Sequence, residues 1–184
     1  MSIKPDRWIK QMVQEKQMIA PFAPEQIKKN NISFGLSSFG YDIRLADEFK
    51  LFEARADCVI DPKNIQEDSF RYLRSKVLSI PANSYVLAKS LEYFKMPDNV
   101  LGMVVGKSTY ARCGVIVNVT PLEPGWEGFL TISISNSAAR PVKIYAQEGI
   151  AQILFFESEQ NCAVSYRDKK GKYQGQKDIT ISRM

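Results

Sequence analysis

The stretch FLTISISN, residues 129–136, alternates large apolar side chains with small polar ones. Successive side chains of a β-strand point to opposite faces of the sheet, so the alternation predicts a strand with residues 127, 129, 131 and 133 on one face. The preceding run EPG, residues 123–125, predicts a turn because proline and glycine interrupt regular structure. A turn followed by a half-buried strand is therefore the first predicted unit of the fold.

Similar segments elsewhere in the chain predict a mainly β protein. Short runs rich in β-branched and aromatic residues, separated by Gly, Pro, Asn and Asp, are typical of strands joined by turns. Many such strands favour a closed or folded-over antiparallel barrel. One helix is predicted from residue 5 to about residue 18, because Pro5 suits a first turn and apolar residues recur at near-helical spacing up to Val13. The predicted strands are residues 41–52, 84–90, 100–105, 115–119, 129–135 and 150–156.

Length and composition predict a single domain. The 184 residues, 45% of them hydrophobic, suffice for one well-buried core and are few for two. Apolar stretches fall short of the roughly 18 residues of a membrane span, and no apolar signal-peptide core is visible, which predicts a cytoplasmic protein without a membrane partner. The net charge of +5 is distributed along the chain and does not indicate a nucleic-acid surface.

Two residue types restrict the chemistry. Histidine is absent, which excludes a Ser-His-Asp triad, an imidazole general base and zinc bound by histidine. Cys58, Cys113 and Cys162 are widely spaced and show no Cys-x-x-Cys pairing, so they predict reduced thiols that are buried like small apolar residues. A zinc cofactor is therefore not expected.

The run GKSTYAR, residues 106–112, is the strongest functional signal. Its two cations, two aliphatic hydroxyl groups and flexible glycine suit a triphosphate, which needs positive charge and hydrogen-bond donors. The run is not a P-loop, because three residues separate Gly102 from Gly106 and that motif requires four. Those three residues, 103–105, predict a buried strand that leads into the run.

Five motifs in family order resemble the dCTP deaminase family over essentially the whole chain. The resemblance implies the distorted antiparallel β-barrel of the trimeric dUTPases, with an N-terminal helix, in one domain of residues 1–184. It also implies a homotrimer with active sites between subunits, which the periodicity of the sequence does not prove. The motifs are SSFGYD at 37–42, GKSTYAR at 106–112, NVTPLEPGWEG with the alternating strand at 118–136, YAQEG with Gln152 at 145–152, and GKYQGQ at 171–176.

The resemblance implies hydrolysis of dCTP to dUTP and ammonia, a step of pyrimidine deoxynucleotide synthesis. Nucleotides of the dCTP, dUTP and dTTP type are the implied ligands, with Mg2+ bound through the triphosphate, no zinc and no nucleic acid. By position, Ser108 and Arg112 match a serine and an arginine that hold the attacking water beside a catalytic glutamate. The implied nucleotide contacts are Lys107, Ser108, Thr109, Tyr110, Ala111, Arg112, Glu123, Thr131, Ile132, Ser133, Gln152, Tyr166, Lys172 and Gln176.

Several of these residues have a direct physical reason to contact a nucleotide. Lys107 offers an ammonium group to phosphate, and Glu123 can accept a hydrogen bond from the 3'-hydroxyl of deoxyribose. Both can also be turn residues, and Arg112 can be an ordinary surface arginine. Trp126 is expected in packing. The glycine-punctuated segment of about residues 166–184 is expected to be mobile when empty and to close as a lid over a bound triphosphate.

Position 133 departs from the family. Where the resemblance implies the catalytic glutamate, the chain has Ser133, whose hydroxyl is too weak a base at neutral pH to shuttle protons. Glu127 cannot replace it, because strand residues spaced by about 3.3 Å put it roughly 20 Å away. Glu148 and Glu157 lie on other segments. Three explanations stay open: a natural or engineered knock-out that still binds dCTP, a relative with another proton carrier, or a repurposed nucleotide-binding protein.

Two other functions accompany deamination as alternatives. A non-catalytic nucleotide-binding sensor or regulator is favoured by Ser133, and a bifunctional enzyme would also hydrolyse the triphosphate to dUMP and pyrophosphate. Nucleic-acid binding through the basic residues 167–172 is disfavoured, because aromatic side chains do not interleave with the cations as stacking platforms would.

Overall fold

The computed structural model describes residues 2–28, 30–53 and 59–182. Neither helix within these ranges has the length and apolar content needed to cross a membrane. The helices are α1 Asp6–Lys16 and α2 Ser108–Ala111, and a 3-10 turn covers Glu67–Ser69. The strands are β1 Ser2–Ile3, β2 Ile19–Ala20, β3 Gly35–Leu36, β4 Tyr41–Phe52, β5 Phe70–Arg74, β6 Val77–Ile80, β7 Ser84–Lys95, β8 Val100–Gly106, β9 Val115–Asn118, β10 Glu127–Asn136, β11 Val142–Tyr145 and β12 Gly149–Glu157.

Antiparallel pairing joins most of these strands into one curled sheet. Its continuous path runs through β1, β12, β4, β7, β10 and β9, while β8 pairs with β12, β3 and β5 pair with β4, and β2 pairs with β7. Strands β6 and β11 form a separate antiparallel pair. The fold is mainly β, a curled antiparallel sheet with an N-terminal helix, which confirms the fold class predicted from the sequence.

The sequence predicts the long strands better than the short ones. Strand β4 has the predicted bounds, and β10 contains all of residues 129–135. Strand β7 continues beyond the predicted residue 90 to Lys95. The prediction omits β1, β2, β3, β5, β6 and β11, because runs of two to five residues offer too few positions for a side-chain period to be distinguished from a loop.

The core is one cluster of buried side chains, supplied mainly by the inner face of the curled sheet. Strand β10 contributes Leu130, Ile132 and Ile134, which are buried, while the residues between them are half-exposed. Helix α1 adds Ile9 and Met12 from its apolar face. Each such side chain stabilises the fold by roughly 1.5–3 kcal/mol relative to an exposed position. The alternation in the sequence thus becomes a division between a core face and an accessible face.

Two expectations about burial are wrong. Met103 and Val105 of β8 are 39% and 46% exposed, because only the opposite face of that strand packs on the core. Cys113 and Cys162 are exposed unpaired thiols and not buried apolar residues, since Cys113 lies in a turn and Cys162 in an irregular segment, both at the surface. Cys58 lies outside the described residues, as do the last two residues, 183 and 184, of the predicted lid.

Candidate functional site

The segment of residues 106–112, called the loop below, connects β8 to β9 through the short helix α2. A Cβ atom on Gly106 would lie 3.3 Å from the Val117 Cβ, so the end of β8 passes close to β9. Lys107 occupies the N-cap position of α2, and its backbone N–H donates to the Ile150 carbonyl at 3.2 Å. The first turn of the loop is therefore held between neighbouring strands.

The side chains of the loop differ in exposure. Ser108, Thr109 and Arg112 are exposed, whereas Tyr110 is 3% exposed and packs in the core. Burial raises the pKa of the Tyr110 hydroxyl far above its ordinary value, so the group stays protonated. The Arg112 guanidinium donates to the Ser108 carbonyl at 3.0 Å and lies over α2. Two hydroxyls and one guanidinium are therefore accessible to a ligand at the surface of the loop.

The cation predicted to bind phosphate lies in a buried ion pair. Lys107 Nζ is 2.6 Å from Asp42 Oδ2, and the two side chains are 12% and 3% exposed. Gln26 donates from its side-chain amide to the same carboxylate oxygen at 3.0 Å. The Lys107 side chain therefore points into the protein toward β4 and is mostly shielded from solvent.

The motif at residues 37–42 packs beside the loop. Asp42 pairs with Gln152 across β4 and β12, and the Gln152 side-chain amide donates to the Ser37 hydroxyl at 2.7 Å. A Cβ atom on Gly40 would lie 2.5 Å from a β12 backbone carbonyl oxygen, so this close approach requires glycine. The structure thus brings Gln152 and Lys107 together around Asp42.

Sequence reasoning missed Asp42 and Gln26 as residues of the site. Asp42 appears in the sequence only as the last letter of a motif, and Gln26 lies in no motif. Position 42 carries a signal nevertheless, because its carboxylate is flanked on both sides by large apolar residues, Tyr41 and Ile43. A charged side chain at a buried position requires a partner. Nothing comparable in the sequence marks Gln26.

Strand β10 presents a second group of predicted residues. Thr131 and Ser133 lie on its half-exposed face, while the Ile132 side chain is fully buried in the core. Only the backbone of Ile132 is available for a pocket contact. Ser133 pairs with Leu87 of β7 on one side and with Asn118 of β9 on the other. Neither an aliphatic nor an amide side chain can act as a base at neutral pH.

The three carboxylates considered from the sequence lie elsewhere. Glu148 accepts a hydrogen bond from the Ile32 N–H at 2.8 Å. Glu157 at the end of β12 forms an ion pair with the lysine that follows β1. Glu127 is the first residue of β10, several residues from Ser133 along the same strand. In the described part of the chain, none of these three carboxylates is therefore found in contact with Ser133.

The tail, defined as residues 166–182, lies against the start of β10. Gln176 donates from its side-chain amide to the Phe129 carbonyl at 2.9 Å and to the Thr131 hydroxyl at 2.7 Å. The Thr180 N–H donates to the same hydroxyl at 3.1 Å. Two residues predicted from separate motifs, Thr131 and Gln176, are therefore in direct contact.

Further contacts hold the tail against Trp126, which is buried as expected. The Trp126 indole N–H donates to the Tyr173 carbonyl at 2.9 Å, and the Tyr173 N–H donates to the Tyr166 hydroxyl at 3.2 Å. Glu123 forms an exposed ion pair with Lys169 at 3.1 Å. These contacts place Tyr166 and Glu123 near the N-terminal end of β10, where Gln176 also binds.

Within one chain the predicted residues form two groups. The loop group lies at the level of Ile134 in β10, because Gly106 lies close to Val117 and Val117 pairs with Ile134. The tail group lies at the level of Gly128, which forms a bridge with the tail. Strand residues rise by about 3.4 Å each, so roughly 20 Å separate Gly128 from Ile134, and roughly 10 Å separate Ile134 from Thr131, which Gln176 also binds. The loop group comprises residues 107–112 and Gln152, and the tail group comprises Glu123, Tyr166, Lys172 and Gln176.

The sequence matches a known family. A family model described as dCTP deaminase-like matches residues 3–158. The chain belongs to this family. A dCTP deaminase of Herpetosiphon aurantiacus is 57% identical over 184 residues, with 100% of both chains covered. A dCTP deaminase of Herminiimonas arsenicoxydans is 55% identical over 185 residues, with 98% of each chain covered. The family resemblance drawn from the five motifs is thereby confirmed.

A solved structure has a similar fold. The crystal structure of 2'-deoxycytidine 5'-triphosphate deaminase from Agrobacterium tumefaciens aligns with a TM-score of 0.64 at 14% sequence identity. The alignment covers 85% of this chain and 48% of that chain, so this chain spans about half the length of that protein. At this level of identity the similarity concerns the fold, and it supports the curled antiparallel sheet of this dCTP deaminase-like protein.

Proposed function

We propose that this protein is a dCTP deaminase, which hydrolyses dCTP to dUTP and ammonia in pyrimidine deoxynucleotide synthesis. The family match over residues 3–158, together with 57% identity to a dCTP deaminase along the entire chain, carries the proposal. The loop supports it, because the accessible hydroxyls of Ser108 and Thr109 and the guanidinium of Arg112 can donate hydrogen bonds to phosphate or to a bound water.

Deamination at C4 of cytosine requires several proton transfers. The attacking water loses a proton, the ring nitrogen N3 gains one, and the departing amino group leaves as ammonia. General acid and base groups accelerate such steps by about 100- to 10,000-fold each. We propose that Ser108 and Arg112 hold the water and that turnover is slow, because Ser133 occupies the position where the family resemblance implies a glutamate.

The test of this proposal compares the unmodified protein with Ser133→Glu. We expect Ser133→Glu to release dUTP and ammonia from dCTP at least about 100-fold faster, since it restores a proton carrier. Ser135→Glu, on the same face of β10, is the matched control and should give no gain. Equal rates for the unmodified protein and Ser133→Glu would show that another group carries the proton.

The proposal extends to a homotrimer with active sites between subunits. In one chain the loop group and the tail group meet β10 at different levels, roughly 10–20 Å apart. On the outer face of β8 and β9, the side chains of Met103, Val105 and Ile116 are 39%, 46% and 57% exposed. Exposed apolar patches often mark protein interfaces, and a second copy covering this patch could bring its tail group to the loop. Sedimentation of the protein as a single chain would contradict the trimer.

Magnesium and a cytoplasmic location belong to the same proposal. Mg2+ prefers oxygen ligands and commonly binds through substrate phosphates while keeping several waters. The exposed hydroxyls of Ser108 and Thr109 fit a phosphate-bound, hydrated ion of this kind. The unpaired exposed thiols of Cys113 and Cys162 suit a reducing compartment. Titration calorimetry of dCTP with and without Mg2+ tests the metal, and equal affinities would contradict it.

A non-catalytic nucleotide sensor is the second candidate, and Ser133 is the observation that favours it. A sensor would bind dCTP with Mg2+ but release neither dUTP nor ammonia during long incubation. Product analysis also detects the bifunctional alternative, because dUMP and pyrophosphate would appear in place of dUTP. If dCTP with Mg2+ produced no heat and no shift of the melting temperature, all of these nucleotide functions would fail.

A further inference from the structure

The buried pair of Asp42 and Lys107 has no role in the chemistry proposed above. The Asp42 carboxylate accepts from Lys107 Nζ at 2.6 Å and from the Gln26 amide at 3.0 Å. With 3% and 12% of their side chains exposed, the two charges are largely removed from water. Burying charges carries a desolvation cost, and such a pair is tolerated only when the partners satisfy each other.

The aliphatic part of the Lys107 side chain is closely packed, as its ammonium group is. A Cβ atom on Gly149 would lie 3.2 Å from Lys107 Cδ and 2.0 Å from the Ser33 carbonyl oxygen. The Lys107 side chain therefore passes close to Gly149, the residue of β12 without a side chain, and its ammonium group contacts Asp42. Its path leaves the Lys107 ammonium group directed toward β4 and away from the exposed side chains of the loop.

Lys107 is also the N-cap residue of α2. Its backbone carbonyl accepts from the N–H groups of Tyr110 and Ala111 at 3.1 and 3.0 Å, and its own N–H donates to Ile150. The same residue thus ties the helix to β12 through its backbone and to β4 through its side chain. Any loosening of the Lys107 side chain would be transmitted to the first turn, which carries Ser108.

We propose that Asp42 is a positioning residue that holds Lys107 and thereby sets the geometry of the nucleotide-binding loop. The inference rests on the proposed function, because the ligand of the loop is dCTP. In this assignment Lys107 is an anchor whose charge is neutralised by Asp42. The phosphates are then bound by the exposed hydroxyl of Thr109 and by backbone N–H groups of the loop, while Ser108 and Arg112 hold the attacking water.

The first experiment measures hydrogen exchange of the loop without nucleotide. Asp42→Asn and Lys107→Met should each accelerate exchange of the Tyr110 and Ala111 amides by at least about tenfold, because each leaves a buried charge unpaired. The double variant should exchange more slowly than either single variant, since it buries no unpaired charge. Glu67→Gln, which removes an ion pair whose acid is 66% exposed, is the matched control and should not change the loop.

The amides of β10 serve as an internal reference in this experiment. Acceleration confined to the loop supports the proposal, whereas equal acceleration in the loop and in β10 would reveal a general loss of stability and would overturn it. Unchanged loop exchange in Asp42→Asn would overturn it as well. If Asp42→Asn does not fold, Gln26→Leu keeps both charges and should accelerate loop exchange about two- to threefold through the loss of one hydrogen bond.

The second experiment measures dCTP affinity by calorimetry with the same variants. If Asp42 positions the loop, Asp42→Asn should weaken dCTP binding by about tenfold or more, and the double variant should bind more tightly than Lys107→Met. If Lys107 instead binds phosphate directly, Asp42→Asn would release its ammonium group and leave affinity equal or higher. That result would overturn the proposal. Absence of dCTP binding by the unmodified protein would refute the proposed function, while hydrogen exchange still decides the role of Asp42.

Discussion

The loop and the tail contain similar residues but hold their cations in different ways. In the loop, Lys107 and its partner Asp42 are 12% and 3% exposed. In the tail, Lys169 and its partner Glu123 are 53% and 43% exposed. Breaking a buried pair costs several kcal/mol, whereas an exposed pair contributes about 0–1 kcal/mol. Burial, rather than residue type, therefore decides which cation is part of the structure and which can turn to a ligand.

The space around the backbone also differs between the two regions, and it is smaller beside the loop than in the tail. Gly149, beside the loop, has the Ser33 carbonyl oxygen 2.0 Å from the place of a Cβ atom. Gly175, in the tail, has a left-handed φ of +67° and no atom within 4 Å of a Cβ atom. The first glycine is required by close packing and the second by backbone conformation. Gly149 is thus enclosed by its neighbours, while Gly175 has open space around it.

The largest expected effect is that of Gly149→Ala. The added methyl group would collide with the backbone of Ser33, so the free energy of unfolding should fall by about 3 kcal/mol. Gly175→Ala is the matched control, and its left-handed conformation should cost only about 1 kcal/mol. Urea unfolding measures both values. Equal losses would show that the region beside the loop is no more tightly packed than the tail.

Gln176→Ala should have a smaller effect. The change removes hydrogen bonds to the Phe129 carbonyl and the Thr131 hydroxyl, which should lower the free energy of unfolding by about 1–2 kcal/mol. Cleavage within the tail by a protease should become faster, because the amide no longer fastens it to β10. Lys177→Ala changes the exposed neighbour and should leave both quantities unchanged. An unaltered cleavage rate in Gln176→Ala would contradict the described contact.

The tail should also loosen in acid. The Ser165 hydroxyl and N–H donate to the Asp168 carboxylate at 2.7 and 2.9 Å, and these bonds lower the pKa of Asp168. Because the folded pKa is lowered, this contribution is complete above the unfolded pKa of about 3.9 and is lost as the pH falls through the folded pKa. Trp126 fluorescence in a Trp8→Phe background reports the tail, since its indole binds Tyr173.

We expect the fluorescence change to begin below about pH 4 in the protein with Asp168 and to be reduced in Asp168→Asn. The asparagine cannot gain a proton in this range, so it serves as the control for other titrations. Identical acid transitions in the two proteins would show that this turn does not fasten the tail.

The smallest expected effect is that of Lys169→Met. Its ion pair with Glu123 is exposed, so the free energy of unfolding should change by less than about 0.5 kcal/mol. Melting curves at low and high salt measure the difference, which should shrink further as salt screens the pair. A loss comparable to that of Gly149→Ala would mean that exposure does not separate the tail from the loop.

Local patterns of the sequence predicted much of the fold. The alternation in residues 129–136 identified β10 and its accessible face, and residues 41–52 were assigned their observed bounds. The same patterns misjudged Met103 and Val105, which belong to a strand but are exposed. An apolar run indicates a strand, yet its exposure depends on which faces the rest of the chain covers.

The candidate site was predicted less completely. The motifs named Thr131 and Gln176 separately, and the structure joins them by a hydrogen bond of 2.7 Å. Lys107 was predicted to bind phosphate, a role that stays a prediction, and its buried partner Asp42 was not recognised. Spacing along the chain identifies candidate ligands, but it contains no distance between segments that meet only after folding.

By itself, the amino-acid sequence determined the mainly β composition, the half-buried character of β10, the lack of histidine chemistry and the family. These properties depend on residue types and on neighbours along the chain. Only the tertiary structure decided that Lys107 meets Asp42, which lies 65 residues away, and that the tail binds Thr131. Both contacts arise because sheet formation brings distant strands together, and the burial that follows changes what each charge can do.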